Sequence, residues 1–337
     1  MLAAQRPLAE VHYRTQNIYE KEKFMESLYV AVNAVVPFLF YITFGYVTKR
    51  MGVVEEEFLE KLNKMAFRLF FPCMSFYNIY KADVDGVPSV KLLAFLAVGI
   101  LATEAVLLAV VPRIVKENPK RGVIIQAIFR SNFILFGLPL TVSVFGDKAS
   151  SAAAMVITLV SSIYNITSVM ILELFHGDEK TSAKKLAVGL VKNPILQGAF
   201  VGIIFFVTQW KLPGCLVEPI AAFSNMTSPL ALFILGGTMH FSAISGNLKY
   251  LVPSLSIKLV VLPAIMIAIA YMIGLRDLEL FFMITIYATP VAAASYPMAQ
   301  NMGGDGELAG QFVVISTVVS VVTLFLWIFA LKQTGLI

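Results

Sequence analysis

The sequence predicts an all-α membrane protein with about ten transmembrane helices, arranged as two inverted five-helix repeats. Of the 337 residues, 58% are hydrophobic and 14% are charged, whereas about a quarter of the residues in a soluble domain are charged. Apolar runs recur along the chain, and each is close to the roughly 20 residues that a spanning helix needs. One pattern of helix breakers also occurs twice, in the fourth and ninth of these runs.

The apolar runs define ten predicted spans in order along the chain. Glycine and proline inside several of the runs suit transmembrane helices better than soluble ones. The spans cover residues 27–48, 62–80, 91–112, 122–145, 150–175, 194–210, 219–240, 250–273, 279–301 and 307–331.

Polar segments divide the chain around these spans. Residues 1–24 have mixed charge and lack the apolar core of a signal peptide, so we expect a short N-terminal tail. Residues 25–175 would form the first five-helix repeat and residues 194–337 the second. Residues 176–193 would be the linker between them, and its lysines predict a cytoplasmic position.

Matching helix breakers in spans 4 and 9 indicate the repeat. The first copy contains Pro139 and Gly146, and the second contains Pro297 and Gly304. The offsets are equal, since 297 − 139 and 304 − 146 both give 158. Five spans per copy is an odd number, so the second copy is inverted across the membrane, and breaks at matching places point to a transporter's binding site. We expect the two prolines to break spans 4 and 9 and to free backbone polar groups there.

Lysine and arginine cluster in alternate loops, which predicts an orientation. The loops after spans 1, 3 and 5 are rich in basic residues and should be cytoplasmic. Both termini would then lie outside a plasma or inner membrane, although basic residues within the first 24 positions favour the opposite orientation.

Short segments carry a family resemblance over most of residues 27–333. They are Arg130-Ser131-Asn132 with Gly137-Leu138-Pro139, Lys192-Asn193-Pro194, residues 231–237, Ala288-Thr289-Pro290, and Met298-Ala299-Gln300 with Gly303-Gly304-Asp305. Together they resemble the auxin efflux carrier family, which includes bacterial organic-acid permeases and the plant PIN auxin exporters. The compact linker resembles the prokaryotic type.

The resemblance implies a fold of the bile-acid-symporter or sodium–proton-antiporter type. Spans 1, 2, 6 and 7 would form a scaffold, and spans 3–5 and 8–10 would form a moving transport domain. Broken spans 4 and 9 would cross where they unwind, and the substrate would bind at this crossover. The resemblance makes Asn132 a substrate contact, together with the backbone freed by Pro139, Pro290 and Pro297. Because 132 + 158 = 290, the repeat places Pro290 opposite Asn132, and the two crossovers differ chemically.

A crossover of broken helices suits an anion, because the N-termini of half-helices carry partial positive charge. Asn132 offers donors and an acceptor, and several nearby residues offer hydroxyls. A structural interpretation stays open, since Ser and Thr commonly bond their own helix and Asn132 could satisfy the broken backbone. The predicted substrate-binding residues are Ser131, Asn132, Gly137, Pro139, Thr289, Pro290, Ser295 and Pro297.

Three charged residues lie at similar depth in spans of the expected transport domain. They are Glu104 in span 3, Arg130 in span 4 and Lys258 in span 8. Charge near the bilayer centre is costly unless it is paired or hydrated, so we expect Glu104 to pair with Arg130 or Lys258. The network could couple transport to proton binding at Glu104 and neutralise a substrate carboxylate, or it could be a structural ion pair.

These patterns predict a secondary active transporter of a small organic anion, such as malate, malonate or an auxin-like aromatic acid, by elevator-type alternating access. A proton or a sodium ion would be the coupling ion. A sodium-coupled symporter of bile-acid type and a membrane acid sensor that does not transport are the alternatives. No P-loop occurs in the sequence, which argues against ATP-driven pumping.

Other classes of function find no support in the sequence. We expect no enzymatic activity, no catalytic residues and no cofactor, because a zinc-type His-Glu motif and paired catalytic carboxylates are missing. His12, His176 and His240 are too scattered for a metal site. The net charge of +5 arises from loops between spans and does not indicate nucleic-acid binding. The expected partners are the organic anion, the lipid bilayer and a second copy in a homodimer.

Overall fold

All regular structure in the described part of the chain is helical. The computed structural model describes residues 5–81, 88–146, 149–176, 183–239 and 244–337. Those ranges contain no strand, which confirms the all-α prediction. His240 and residues 177–182 of the expected linker lie outside the described residues.

Fifteen α-helices and three π-helical segments occupy the described ranges. The α-helices are α1 Gln5–Arg50, α2 Glu56–Met65, α3 Phe71–Tyr80, α4 Val90–Ile114, α5 Asn118–Phe129, α6 Phe133–Phe145, α7 Ser150–Leu174, α8 Ala183–Lys192, α9 Pro194–Thr208, α10 Gly214–Thr238, α11 Ile244–Ser256, α12 Leu262–Met272, α13 Asp277–Met283, α14 Ser295–Asn301 and α15 Gly306–Gln333. The π-helical segments are Ala66–Phe70, Ile257–Val261 and Ile284–Ala288, which continue α2, α11 and α13.

Six helices of the described ranges are long and apolar enough to cross a membrane. They are α1 from Phe24, α4, α7 from Ala152, α10, the joined α11–α12 and α15. The pair α8 and α9, bent by 66° at a short break, would make a seventh. The predicted spans at 62–80, 122–145 and 279–301 are each divided into shorter helices. The count of ten therefore stays a prediction.

Two segments outside the predicted spans contain helix. Residues 5–24 of the expected tail belong to α1, which begins at Gln5 and runs on through the first span. Within the expected linker, residues 183–192 form α8. The polar segment before each predicted repeat therefore contains helix.

Each π-helical segment ends two residues before a proline. The pairs are Phe70 with Pro72, Val261 with Pro263 and Ala288 with Pro290. Proline has no N–H and cannot bond the carbonyl four residues before it, so each proline leaves one carbonyl free in its helix. A one-turn π segment is a common response to a disturbed ladder and occurs often at functional sites.

The carbonyl freed by Pro263 has a donor from another helix. Pro263 cannot bond the Leu259 carbonyl, and the Trp327 indole Nε1 of α15 donates to that oxygen instead, at 2.9 Å. This contact stabilises the π-helical turn that carries Lys258, whose side chain is fully buried.

The second broken span lies at the centre of the molecule. Every residue from 280 to 299 is buried, including the large side chains of Phe281, Phe282 and Tyr287. Outside this core, α1 packs against α10 and α15, and α3 packs against α9 and α10. Exposed aliphatic and aromatic side chains on the outer helices form a surface that suits a bilayer.

The contact between α1 and α10 depends on two glycines. A Cβ at Gly45 would overlap the Phe233 carbonyl, and a Cβ at Gly236 would overlap the Ile42 carbonyl. Small residues at such positions let the backbones of membrane helices approach closely. These two helices are therefore held at a short, fixed distance on one side of the crossover.

Candidate binding site where two helix breaks cross

The second break follows directly from Pro290. A residue before proline is restricted to extended conformations, and Thr289 has φ −71° and ψ 155°. Helical structure therefore stops at Ala288 and resumes only at Ser295. The carbonyl of Ile286, freed by Pro290, lies 3.5 Å from the hydroxyl of Tyr164, which donates to it.

The first break has no proline of its own. Helix α5 ends at Phe129, Arg130 is extended with φ −84° and ψ 117°, and α6 begins at Phe133. Asn132 has φ −80° and ψ 43°, outside the helical region. Nothing in residues 129–133 forbids a continuous helix, so the cause of this break is tertiary.

The two breaks pair with each other. Ser131 and Val291 form an isolated antiparallel bridge, and the Asn132 backbone N–H donates to the Pro290 carbonyl at 2.7 Å. The Val291 N–H is satisfied by the Ser316 hydroxyl of α15 at 3.0 Å. Backbone groups that leave their helices are thus bonded across the crossing, as buried backbone requires.

The two repeat prolines do not make the breaks, and the sequence prediction is wrong on this point. Pro139 is an exposed residue within α6, and Pro297 is a buried residue in the first turn of α14. The first turn tolerates proline because its N–H groups have no partner within the helix. Both prolines follow the breaks. Gly137 is buried in α6, where a Cβ would lie 2.7 Å from the Phe133 ring.

A small cavity lies against the first break. Its volume is about 20 Å³, which is room for one water molecule, whereas pockets for small molecules measure about 300–1,000 Å³. The lining residues are Met74, Arg130, Ser131, Asn132, Phe133, Ser161, Tyr164, Asn165, Ser228, Ala292 and Ala294. In this conformation the cavity is too small for a small-molecule ligand, which would fit only after helices move.

Arg130 is buried and has neutral partners. One guanidinium nitrogen donates to the Asn165 side-chain oxygen at 2.9 Å, and another lies 2.8 Å from the Met298 sulfur. The Asn165 amide in turn donates to the Ser75 hydroxyl of α3 at 3.2 Å. The cation is therefore oriented by neutral groups and keeps its full charge at the crossover.

Lys258 reaches the crossover from the π-helical turn after α11. Its side chain is fully buried, and the ammonium group donates to the Ser131 hydroxyl. Ser131 lines the cavity, so Lys258 places a second basic group directly behind the lining.

Glu104 does not pair with either cation, contrary to the sequence expectation. Its carboxylate is buried and accepts a hydrogen bond of 2.6 Å from the Thr167 hydroxyl. Among the described residues, no carboxylate lies within 4.0 Å of the charged nitrogens of Arg130 or Lys258. The three charges therefore share a region without forming an ion pair.

Two predicted polar residues have unsatisfied atoms in the buried crossover. The Asn132 side-chain nitrogen and the Ser295 hydroxyl have no hydrogen-bond partner in the described structure. An unsatisfied buried polar atom costs about 1–3 kcal/mol, so a ligand or water that pairs with them is favoured. Thr289 differs, since its hydroxyl bonds the Thr285 carbonyl of its own helix at 2.8 Å.

The sequence analysis missed the contribution of α7. Ser161, Tyr164 and Asn165 line the cavity, and Ser168 is a further buried polar residue on the same helix. Their spacing of i, i+3, i+4 and i+7 puts them on one face of the span. That polar stripe was a visible signal, because polar residues within a span usually face a site or a partner.

A second cavity of about 160 Å³ adjoins Tyr296. Tyr296 lies two residues after the cavity-lining Ala294, and its hydroxyl is 2.7 Å from that of Thr238 at the end of α10. The lining is polar and acidic, with Glu56, Glu60 and Glu307. The Tyr296–Thr238 hydrogen bond therefore ties the second broken span to a helix of the expected scaffold.

Comparison with known proteins identifies the family. A family model described as membrane transport protein matches residues 30–328, which is most of the chain. The chain belongs to the membrane transport protein family. Integral membrane location follows from this family and from the several helices that can span a bilayer.

Relatives of this membrane transport protein extend over nearly the whole chain. An uncharacterized transporter of Methanothermobacter thermautotrophicus is 24% identical over 300 residues, covering 88% of this chain and 97% of the relative. Auxin efflux carrier component 8 of Arabidopsis thaliana is 23% identical, covering 90% and 98%. A putative malonate transporter of Rhizobium meliloti is 22% identical, covering 86% and 92%. The expected membership of the auxin efflux carrier family is confirmed.

Proposed function

We propose that this membrane transport protein is a secondary active transporter of a small organic anion, which binds at the crossover. The observation that carries the proposal is the pair of buried basic side chains, Arg130 and Lys258, without a carboxylate within 4.0 Å among the described residues. Beside them the Asn132 amide has an unpaired donor. A substrate carboxylate would supply the missing negative charge and accept charge-assisted hydrogen bonds.

The basic groups at the crossover and the names of two relatives support this substrate class. One relative is named for auxin efflux and another for malonate transport, and both compounds are carboxylates. We place the carboxylate of the substrate against Asn132, with Arg130 and the Lys258-bonded Ser131 on its other sides. Malonate, malate and an aromatic acid of the auxin type are the candidates.

Alternating access would proceed as an elevator. In this proposal the chain forms two inverted five-helix repeats. Helices α1–α3, α9 and α10 form the scaffold, and the helices of predicted spans 3–5 and 8–10 move with the crossover. The closed cavity of about 20 Å³ supports a mechanism in which helices must separate before substrate enters. The Tyr296–Thr238 hydrogen bond joins the two proposed bodies and would break in each transport cycle.

Glu104 is our candidate for proton coupling. Its buried carboxylate bonds the neutral hydroxyl of Thr167, a partner that serves both the charged and the protonated form. A Glu104→Gln variant should lose the pH dependence of transport while it retains substrate binding. Unchanged pH dependence in this variant would exclude Glu104 as the proton site and leave sodium coupling as the alternative.

Flux through purified protein in liposomes tests the proposal. We expect labelled malonate, malate or indole-3-acetate to enter protein-containing vesicles faster than empty ones, with a further rise under an imposed proton gradient. An excess of the unlabelled acid should compete. Uptake that needs sodium would favour the bile-acid type of symporter. Saturable binding without flux would favour a sensor, and neither binding nor flux for any acid would contradict the proposal.

The proposal has two further parts. The protein would form a homodimer through the proposed scaffold, and it would lie in the plasma or inner membrane with both termini outside. Cysteine labelling from each side of sealed vesicles tests the orientation. Cys215 precedes the predicted seventh span and is exposed, and this topology predicts that an impermeant thiol reagent reaches it from outside.

A further inference from the structure

The contact between α3 and α7 includes a line of polar residues. The Asn165 side-chain nitrogen of α7 donates to the Ser75 hydroxyl of α3 at 3.2 Å. The Thr158 hydroxyl of α7 donates to the Asn78 carbonyl of α3, also at 3.2 Å. Residue numbers rise along α3 where they fall along α7, so the two helices are antiparallel. These four residues and Ser168 of α7 are named the polar seam.

Two members of the polar seam have buried atoms without a partner. The Asn78 side-chain nitrogen and the Ser168 hydroxyl form no hydrogen bond in the described structure, and both residues are buried. Asn78 lies three residues after Ser75, and Ser168 lies three residues after Asn165, so each shares a helix face with a bonded member. Such atoms are rare in native proteins, and their matching positions on the two helices suggest a common purpose.

A slide of α7 by about one turn would pair both atoms. If α7 moves by three residues toward its own N-terminal end, Ser168 reaches the level of Ser75 and Asn165 reaches the level of Asn78. Three residues correspond to about 4.5 Å along a helix. The Ser168 hydroxyl would then face the Ser75 hydroxyl. The Asn78 nitrogen would face the Asn165 side-chain oxygen, which can accept two hydrogen bonds.

We infer that the polar seam has two registers and that α7 exchanges hydrogen bonds with α3 when it moves between them. The inference rests on the proposed function, in which α3 belongs to the scaffold and α7 moves with the crossover. The present register has the bond between Asn165 and Ser75. The second register has the bonds of Ser75 with Ser168 and of Asn78 with Asn165. One-turn shifts between two discrete arrangements are a known form of helix movement.

Asn165 links this exchange to the binding site. Its side-chain oxygen accepts a hydrogen bond from Arg130 at 2.9 Å, and Arg130 would move together with α7. Asn165 therefore keeps the guanidinium group oriented in both registers while its contact on α3 changes from Ser75 to Asn78. In this role Asn165 is a positioning residue that acts through Arg130.

A slide in the opposite direction lacks this support. It would bring Ser161 to the level of Ser75 and move Ser168 farther away. The Ser161 hydroxyl already bonds the Ile157 carbonyl of its own helix at 2.6 Å, whereas the Ser168 hydroxyl would stay unpaired. The unpaired atoms therefore favour movement of α7 toward its N-terminal end.

Disulfide trapping of the full-length protein in liposomes tests the second register. In a Cys73→Ser/Cys215→Ser background, Ser75→Cys/Ser168→Cys can form a disulfide only when the Cα atoms come within about 4.4–6.8 Å. We expect copper phenanthroline to oxidise this pair faster than the control pair Ser75→Cys/Ser161→Cys. Loss of maleimide labelling measures the rate, and a monodisperse gel-filtration peak shows that each variant is folded.

Replacement of Asn78 tests the hydrogen-bond exchange itself. Asn78→Leu removes a bond of the second register only, so disulfide formation in the Ser75→Cys/Ser168→Cys protein should slow about twofold to tenfold. The matched control is Asn63→Leu, since Asn63 is also a buried asparagine with an unpaired side-chain atom but lies on α2. The control should leave the rate unchanged.

Spin labels provide a measurement that leaves the polar seam intact. In the same cysteine-free background, labels at exposed Glu57 of α2 and Leu174 of α7 should give two distances. Asn78→Leu should reduce the population of the second distance. A single distance that is unchanged in this variant would overturn the inference.

Other outcomes would also overturn the two registers. They are equal oxidation of the two cysteine pairs, an unchanged rate with Asn78→Leu, and an equal loss with Asn63→Leu. None of these measurements needs a substrate. Trapping of Ser75→Cys/Ser168→Cys in a protein without flux would support the registers and contradict the transport proposal. Flux of organic acids without trapping would do the reverse.

Discussion

The backbone and the side chain of Asn132 have different roles at the crossover. Its backbone N–H bonds the opposite break at Pro290, its side chain lines the cavity, and its amide nitrogen has no partner in the described structure. The backbone contact fixes where the side chain lies, and the unpaired amide is left for a ligand. Both interpretations open at the level of sequence, structural and functional, therefore apply to different atoms of the same residue.

The variant Asn132→Ala should weaken anion binding. A hydrogen bond to a charged group contributes about 1.5–3 kcal/mol, so we expect the Kd of the best organic acid to rise on the order of tenfold to a hundredfold. Ligand-dependent thermal shift measures this. The control is Asn247→Ala, since Asn247 bonds Gln311 away from the cavity. Equal weakening in both variants would contradict the assignment.

Replacement of Lys258 should raise the stability of the protein and abolish anion binding. A buried lysine without a carboxylate partner is costly, so Lys258→Met should make the ligand-free protein more stable, by roughly 2 kcal/mol. The same variant should lose anion binding. Unfolding midpoints with and without the acid measure both effects, and exposed Lys249 of the same region provides the control Lys249→Met. A less stable variant with intact binding would refute this prediction.

At the scale of elements, prolines act on the few residues that precede them. The three π-helical segments each end two residues before a proline, and the second break begins at the residue before Pro290. These effects are local, because the ring removes one donor and restricts one neighbour. Pro139 instead lies within a continuous helix, so a proline alone does not determine a break.

Substitution of these two prolines should have opposite effects. Pro139→Ala restores a helical N–H at an exposed site and should raise the free energy of unfolding, by up to about 3 kcal/mol. Pro290→Ala relaxes Thr289 and introduces a buried N–H at the crossing, which should cost about 1–3 kcal/mol and weaken anion binding. Thermal unfolding and acid titration of the two variants provide the comparison. A loss of stability in both variants would show that Pro139, like Pro290, stabilises the crossover.

At the scale of the whole molecule, the closed cavity implies a conformational change. Tyr296 and Thr238 join the second broken span to α10 through one hydrogen bond, beside an acidic cavity of about 160 Å³. Because the crossover cavity holds about one water molecule, entry of a substrate requires separation of the helices around it. The bond between these two hydroxyls opposes that separation.

The variant Tyr296→Phe should transport faster than the wild type with unchanged affinity. Loss of one neutral hydrogen bond is equivalent to about 0.5–1.5 kcal/mol, so a rate limited by opening should rise about twofold to tenfold. Initial rates of flux in liposomes measure this. Thr238→Val should reproduce the effect from the other side of the bond, and Tyr250→Phe is the control. If Tyr296→Phe and Thr238→Val both keep the wild-type rate, this hydrogen bond does not limit opening.

The sequence by itself determined the helical membrane class, several of the apolar spans and the extended residue before Pro290, although the second break was expected at Pro297. Each of these depends on composition or on a restriction between near neighbours, as at Thr289 before Pro290. The first break was placed too late, at Pro139, because its cause is a bridge from Ser131 to Val291, a residue 160 positions away in the chain.

Tertiary structure alone decided the closed cavity and the isolation of Arg130 and Lys258 from Glu104. Equal depth in the membrane suggested an ion pair, but the direction of each side chain depends on the packing around it. Trp327 bonds the carbonyl beside Lys258, and Asn165 orients Arg130. Such contacts join distant parts of the chain, so spacing along the sequence does not encode them. They leave two basic groups at the crossover without an acidic partner in the described structure.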